Sequence, residues 1–364
     1  MSQAQTLAEP VARRRLLDAA AVLTTPLLPD DYLTVFNPLW AFGELRGRVE
    51  QVIPRTDDAA TIVVRPSRGW PRHRAGQHVA VGVDVNGVRH WRSYSLTSDP
   101  ERPDGCLSIT VKLVDGGAVS TQLVRHTQPG DLIRLGPPAG DFGLPAEVTR
   151  APLLFVTAGS GITPVMAILR SLERQDLITD VVHIHSERTS ESVIFGEALR
   201  GLAARNDGVT LHERHTATAA RLAPSELDRL CPDWRDRETY ACGPLGLLDA
   251  LETHFEAESL LHQLHVERFQ IAQVVAAPGD GGTVRASLAG TTFDAPAGAS
   301  LLVAAENAGL PVKSGCRMGI CHTCVCELKE GQVRDLRTGE LIDEPGQFVQ
   351  LCVSAAAGDV ELVL

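Results

Sequence analysis

A chain of 364 residues, 44% hydrophobic and 22% charged, is too long for one hydrophobic core and predicts two or three globular domains. Its net charge of -11 argues against a nucleic-acid binder and suits an acidic docking face for a basic partner protein. Its eight cysteines, five of them gathered between Cys316 and Cys352, lack the even spread of a disulfide-stapled secreted domain.

The N-terminal extension, residues 1–44, places Arg13, Arg14 and Arg15 before an apolar run that Asp18 interrupts, with no cleavage site at signal-peptide distance. No stretch reaches the ~18 uncharged apolar residues that cross a bilayer. The expectation is a cytoplasmic protein whose cysteines stay reduced. In "LLPDDYLTVFNPLW", Pro26, Pro29 and Pro38 stop any long helix, and Leu27, Leu28, Tyr32, Phe36 and Trp40 read as a strap packed on the next domain. The alternative rests Arg13 to Arg15 on an anionic membrane surface, a peripheral contact at the inner face that salt would weaken.

Residues 45–148 hold six short alternating runs, "LRGRVEQVI", "AATIVVRP", "QHVAVGVDV", "VRHWRSYSL", "LSITVKLV" and "GDLIRLGPP", with an Asn86-Gly87 hairpin signal between the third and fourth. They predict an antiparallel barrel. Residues 149–269 switch period: "APLLFVTAGSGITPVMAILRSLERQ", "DVVHIHSE", "VTLHERH" and "ETYACGP" alternate strands with helical stretches, which predicts a doubly wound parallel α/β domain. Residues 270–282 read as a linker, and 283–364 as a small mixed domain with two strand-like runs, a helix at "SLLVAAENAG" and the cysteine cluster.

Cys316, Cys321 and Cys324 have the spacing C-x4-C-x2-C, and Cys352 follows after twenty-seven residues, the plant-type [2Fe-2S] ligand pattern. Two irons need four thiolates, and Gly315 and Gly319 let the loop fold tightly enough to turn backbone N–H groups toward the cluster sulfurs. A structural zinc site is the alternative, although zinc sites usually pair two C-x2-C knuckles. Cys326 reads as a small buried apolar residue on a strand rather than as a ligand. Upstream, "TAGSGITP" offers Gly159, Ser160, Gly161, Thr163 and Pro164 where a pyrophosphate could approach a helix N-terminus, and "GGAVST" offers Gly117, Ala118, Val119 and Ser120 in a similar setting.

Together these motifs resemble the ferredoxin-NADP reductase superfamily joined to a plant-type, β-grasp-like ferredoxin domain, from about residue 45 to the end. The resemblance implies that "RSYSLTS" is a flavin signature: Arg92 holds a flavin phosphate, Ser93 belongs to the same set, Tyr94 packs on the ring system and Ser95 bonds near its reactive nitrogen. Lys112 and the residues at 117–120 complete that set and favour FAD over FMN. It also implies that "YACGP" puts Cys242, with Gly243 and Pro244, beside the nicotinamide carbon that gives up hydride. Ser95 and Cys242 are thus the catalytic candidates. Glu267 and Phe269 in "HVERF" resemble residues that reach the flavin in relatives where the chain ends there.

Discrimination between NADPH and NADH depends on charge at the adenosine ribose, where an acid favours NADH and arginine accommodates the extra phosphate. Ser186, Glu187 and Arg188 stand together at one strand end and Arg214 at the next, and the choice is NADPH, with NADH the alternative. Because NADPH gives two electrons as hydride and a [2Fe-2S] cluster takes one, the implied path runs from NADPH through FAD and the cluster to an external acceptor. With "LLPDDYLTVFNPLW", "CRMGIC" and "VRDLRTGE" added, the chain resembles bacterial electron-transfer partners of membrane-bound stearoyl-CoA Δ9 desaturases. Reductase components of hydroxylases and ring-hydroxylating dioxygenases are the second reading. A non-enzymatic iron-sulfur sensor or carrier is a third, against which both nucleotide motifs count.

Overall fold

The computed structural model describes residues 36–40, 45–85, 88–145, 150–269, 280–314, 319 and 323–364. The Asn86-Gly87 turn, most of the N-terminal extension, nearly all of the linker, Cys316 and Cys321 lie outside the described residues. In the extension, Leu39 is buried, whereas Phe36 is 81% and Trp40 40% exposed. The strap expectation is therefore corrected at Phe36 and Trp40, because Leu39 is the residue of the short turn Pro38–Trp40 that packs inward.

The first domain is an antiparallel sheet of β1 (Arg46–Thr56), β2 (Ala59–Pro66), β3 (His78–Val85), β4 (Val88–Ser95), β5 (Leu107–Lys112) and β6 (Leu132–Ala139), in the order β4-β3-β6-β1-β2-β5. A bridge from Leu96 to Ile109 joins its two edges and closes the sheet on itself. Alternation fills the interior with Val49, Ile62, Val64, Val79, Val81, Leu107 and Ile109. A helical turn, α1 (Ala118–Thr121), follows β5.

The second domain alternates β7 (Leu153–Ala158), α2 (Ile162–Arg174), β8 (Val181–Glu187), α3 (Gly196–Arg205), β9 (Val209–His215), α4 (Leu227–Leu230), β10 (Glu238–Cys242), α5 (Leu245–Ala257) and β11 (Leu264–Glu267). All pairings are parallel, in the order β11-β10-β7-β8-β9, so the chain reverses direction across the sheet between β7 and β10. That reversal opens a crevice at the carboxyl ends of the strands, where open α/β sheets bind ligands.

The third domain contains β12 (Gly282–Ala286), β13 (Thr291–Ala295), α6 (Leu301–Asn307), β14 (Val325–Asp335), β15 (Leu341–Ile342), β16 (Phe348–Gln350) and β17 (Ser354–Leu362). Ser300 caps α6 by accepting from the Val303 N–H at 3.3 Å. The six strands exceed the two runs expected. β15 and β16 are two and three residues long, and β17 begins "SAAAG", whose small buried residues carry no alternation.

Candidate functional site

The flavin-signature residues sit at the end of β4, whose register against β3 pairs Ser95 with His78, Tyr94 with Val79 and Arg92 with Val81. Tyr94 packs partly on the barrel interior, and burial raises its phenol pKa. Arg92 Nη1 donates to its neighbour's carbonyl, Trp91 O, at 2.7 Å. Ser95 Oγ is buried without a hydrogen-bond partner, which leaves a hydroxyl for a ligand to engage. At α1, Ser120 Oγ donates to Gly117 O at 3.0 Å and accepts from the Val114 N–H at 3.2 Å. A Cβ on Gly117 would lie 2.6 Å from Ser120 Oγ, so only glycine keeps this turn narrow. A cationic strand end, an orphaned hydroxyl and a narrow helix opening fit a dinucleotide flavin.

From there a line of side chains crosses to the second domain. His78 is buried beside Ser95, and its Nδ1 lies 3.7 Å from Glu267 Oε1. Glu267 is the register partner of Cys242, and Cys242 of Thr157. Cys242 is fully buried, and burial together with the Glu267 carboxylate pushes its thiol well above the ordinary value, so it remains a thiol. Phe269 packs on the same apolar cluster as Cys242. Sequence reasoning missed His78; its place in the run beside "RSYS" is the signal that would have found it.

The crevice has a volume of about 900 Å³. Its floor is the turn after β7, where Gly159 has φ +57°, and Gly161 packs so closely on the end of β10 that a Cβ there would meet Cys242 O at 2.0 Å. Gly159, Ser186, Arg188 and Pro244 line it, as the sequence suggested, and so do Glu187 and Arg221. Arg214 does not. Its guanidinium is taken by Glu226 and by Ala220 O, and it faces a separate cavity with His212 and Arg229, which corrects its placement at the nucleotide. Glu187 is also engaged: Oε1 accepts the Arg188 N–H at 2.9 Å and Oε2 accepts from Lys112 Nζ of the barrel at 3.2 Å. Lys112 thus reaches across the domain seam.

Beneath the crevice, Thr157 Oγ1 bridges His183 Nε2 at 2.8 Å and His185 Nδ1 at 2.7 Å. One hydroxyl hydrogen serves one ring, so the other ring must donate, and the remaining nitrogens, His183 Nδ1 and His185 Nε2, are buried without partners. Burial, followed by the neighbouring His185, holds His183 far below the usual range; burial, then Lys112 and His215, brings His185 to about 3. Both rings stay neutral in the fold and protonate near 6.5 once unfolded. Stability linked to them is complete above pH ~6.5 and is lost as pH falls from there toward 3. Lowering pH from 7 to 5.5 should cost about 1 kcal/mol for each ring, measured as the urea midpoint, and His183→Gln with His185→Gln should flatten that slope.

In the third domain, Cys324 and Cys352 are both buried in one core cluster, and the Leu351 N–H donates to Cys324 O at 3.1 Å, which joins their segments. Gly319, inside the cysteine loop at φ +73°, is held by Gln350 Nε2 at 2.9 Å and Arg337 Nη1 at 3.4 Å. Gly319 is thereby fastened to the segment two residues before Cys352. With Cys316 and Cys321 outside the described residues, the spacing C-x4-C-x2-C together with the buried, linked Cys324 and Cys352 is a donor set that fits a [2Fe-2S] cluster. Cys326 lies on β14, where burial raises its thiol to about 12.

Three family models match the chain: an oxidoreductase FAD-binding domain at 71–143, an oxidoreductase NAD-binding domain at 155–253 and a 2Fe-2S iron-sulfur cluster binding domain at 285–357. An NADPH oxidoreductase of Mycobacterium tuberculosis is 46% identical over 94% of this chain and 90% of its own. The chain belongs to the three-domain FAD, NAD(P) and [2Fe-2S] oxidoreductases. Another relative of this oxidoreductase is the glycine betaine monooxygenase reductase subunit of Pseudomonas aeruginosa, 29% identical over 90% of this chain and 97% of its own. Phthalate dioxygenase reductase shares the fold with a TM-score of 0.62 and 26% identity, covering 88% of this chain and 98% of that one. FAD, NAD(P)H and a [2Fe-2S] cluster are accordingly the cofactors of this oxidoreductase. Among its described residues no helix is long and apolar enough to cross a membrane.

Proposed function

We propose that this oxidoreductase takes its electrons from NADPH and delivers them to an external iron enzyme, with an integral-membrane acyl-CoA desaturase as the acceptor. Bound FAD and the [2Fe-2S] cluster supply the conversion of one hydride into single electrons. The observation that carries the NADPH assignment is the pair of guanidinium groups, Arg188 and Arg221, at the crevice, while the one acid among its described lining residues, Glu187, is already bonded to Lys112 and Arg188 N–H. A 2′-phosphate would meet two cations, and a bare ribose would find its usual carboxylate occupied. The 46% identical relative bears NADPH in its name, which supports the same reading.

Charge-assisted contacts of this kind contribute about 1.5 to 3 kcal/mol. Arg188→Ala and Arg221→Ala should each raise the KM for NADPH roughly tenfold or more, with NADH little changed, whereas Arg214→Ala should leave the preference as it is. Steady-state kinetics with both nucleotides and a dye acceptor measure this.

The desaturase rests on the resemblance of "LLPDDYLTVFNPLW", "HVERF" and "VRDLRTGE" to desaturase electron-transfer partners. A second reading, an oxygenase acceptor, is favoured by relatives that are reductase components, including that of a 3-ketosteroid-9-alpha-monooxygenase of Mycobacterium tuberculosis, 31% identical over 79% of this chain. The holoenzyme with NADPH should sustain turnover by an acyl-CoA desaturase in lipid vesicles faster than by purified oxygenase components. Turnover with an oxygenase alone would replace the first reading by the second.

A further inference from the structure

The barrel and the nucleotide domain also meet at a second cavity of about 260 Å³, which shares no lining residue with the nucleotide crevice and touches the flavin-signature stretch at Ser98, with Arg92, Ser93, Tyr94 and Ser95 outside its lining. It lies on the outer face of the barrel sheet. Ile62, Val64, Leu107 and Ile109 point into the barrel, and the alternate residues Thr61, Val63 and Ser108 line the cavity. Three arginines converge there: Arg55 from β1, Arg102 from the β4–β5 connection and Arg170 from α2.

One of the three is paired among the described residues and two are not. Arg102 pairs with Asp104 at 2.8 Å. Among the described residues Asp99 is the one carboxylate lining the cavity, but Oδ2 is taken by Arg174 and Oδ1 accepts the Glu101 N–H at 3.2 Å. Among the described residues, neither Arg55 nor Arg170 forms a salt bridge. Arg55 Nε donates to Thr61 Oγ1 at 2.7 Å, and Arg170 Nη1 donates to the Thr97 carbonyl. Both guanidinium groups instead lie over the Phe195 ring, at 5.4 Å and 5.1 Å. Burial, and then the charges of Arg55 and Arg102, bring Arg170 down to about 10.

Two like charges gathered around one ring in a partly desolvated cavity are costly without a counter-ion. Guanidinium forks match the oxygen spacing of phosphate and bind it bidentately. We propose that this seam is a binding site for a small phosphate dianion, held by Arg55 and Arg170. Since the first belongs to the barrel and the second to the nucleotide domain, the anion ties the two domains together.

The test uses the full-length, FAD-loaded protein saturated with NADP⁺, so that the flavin and nucleotide sites are filled before inorganic phosphate is added. At constant ionic strength set with chloride, phosphate should raise the thermal midpoint with the logarithm of its concentration above its dissociation constant, by roughly 2–4 °C at tenfold that constant. Arg55→Gln and Arg170→Gln should each weaken phosphate binding at least tenfold by calorimetry, while Arg170→Lys, which keeps the charge but loses the fork, should fall between. A midpoint that responds to chloride as it does to phosphate, or an undiminished phosphate affinity in Arg55→Gln, would overturn the proposal. Arg55→Gln decides the question even if Arg170→Gln does not fold.

Discussion

Cys352→Ser should lose its iron and its visible cluster absorbance, and electron delivery to a protein acceptor should fall to background while NADPH-driven reduction of a flavin-accepting dye persists. Cys352 sits between Leu351 and Val353 in the third-domain core, with Cys324 and Gly319 fastened to its segment through the Leu351 N–H and Gln350. A serine leaves that backbone in place, so the loss would report the missing thiolate and not a collapsed domain. Cys326→Ser is the control, because it also introduces a buried hydroxyl, at about 1 to 3 kcal/mol, yet should keep the iron. Equal iron loss in the two variants would remove the distinction between ligand and core cysteine. The retained dye activity separates the route into the protein from the route out.

Gly161→Ala should damage the opposite end of the path. The added Cβ would stand 2.0 Å from Cys242 O, 2.4 Å from its carbonyl carbon and 2.8 Å from Gly243 N. All three are backbone atoms at the end of β10, so no rotamer change relieves the overlap, and either the turn or the strand end must move. The expected cost is about 3 kcal/mol of stability. The displaced floor of the crevice should lower kcat/KM for NADPH with a dye acceptor on the order of 100-fold, with FAD content unchanged. A nucleotide affinity and midpoint equal to the parent's would show that the turn and β10 are not in contact.

Local pattern made the architecture legible. Period-2 runs from Arg46 to Ala139, the change to alternating strands and helices at Leu153, and the C-x4-C-x2-C spacing each depend on neighbours within a few residues, and they were enough to separate barrel, parallel sheet and cluster domain. Short strands escaped for the same reason: Leu341–Ile342 and Phe348–Gln350 have too few residues to show a period, and they exist because β14 offers them an edge.

Side-chain destinations depended on distant partners. Arg214 and Arg221 are both plausible phosphate ligands by position in the chain, but Glu226 captures the first and leaves the second at the crevice. Glu187 reads as a ribose acid until Lys112, from another domain, occupies it. His78 becomes part of the site only when β11 brings Glu267 to within 3.7 Å, and Arg55 and Arg170 share a cavity only when α2 docks on the barrel. Composition and spacing determine which elements form and which metal the thiols suit, because those are set by local backbone preference and ligand number. Which cation faces a phosphate, which acid is free and which buried histidines must stay neutral are decided by strand register and domain docking, since charge and burial act through space rather than along the chain.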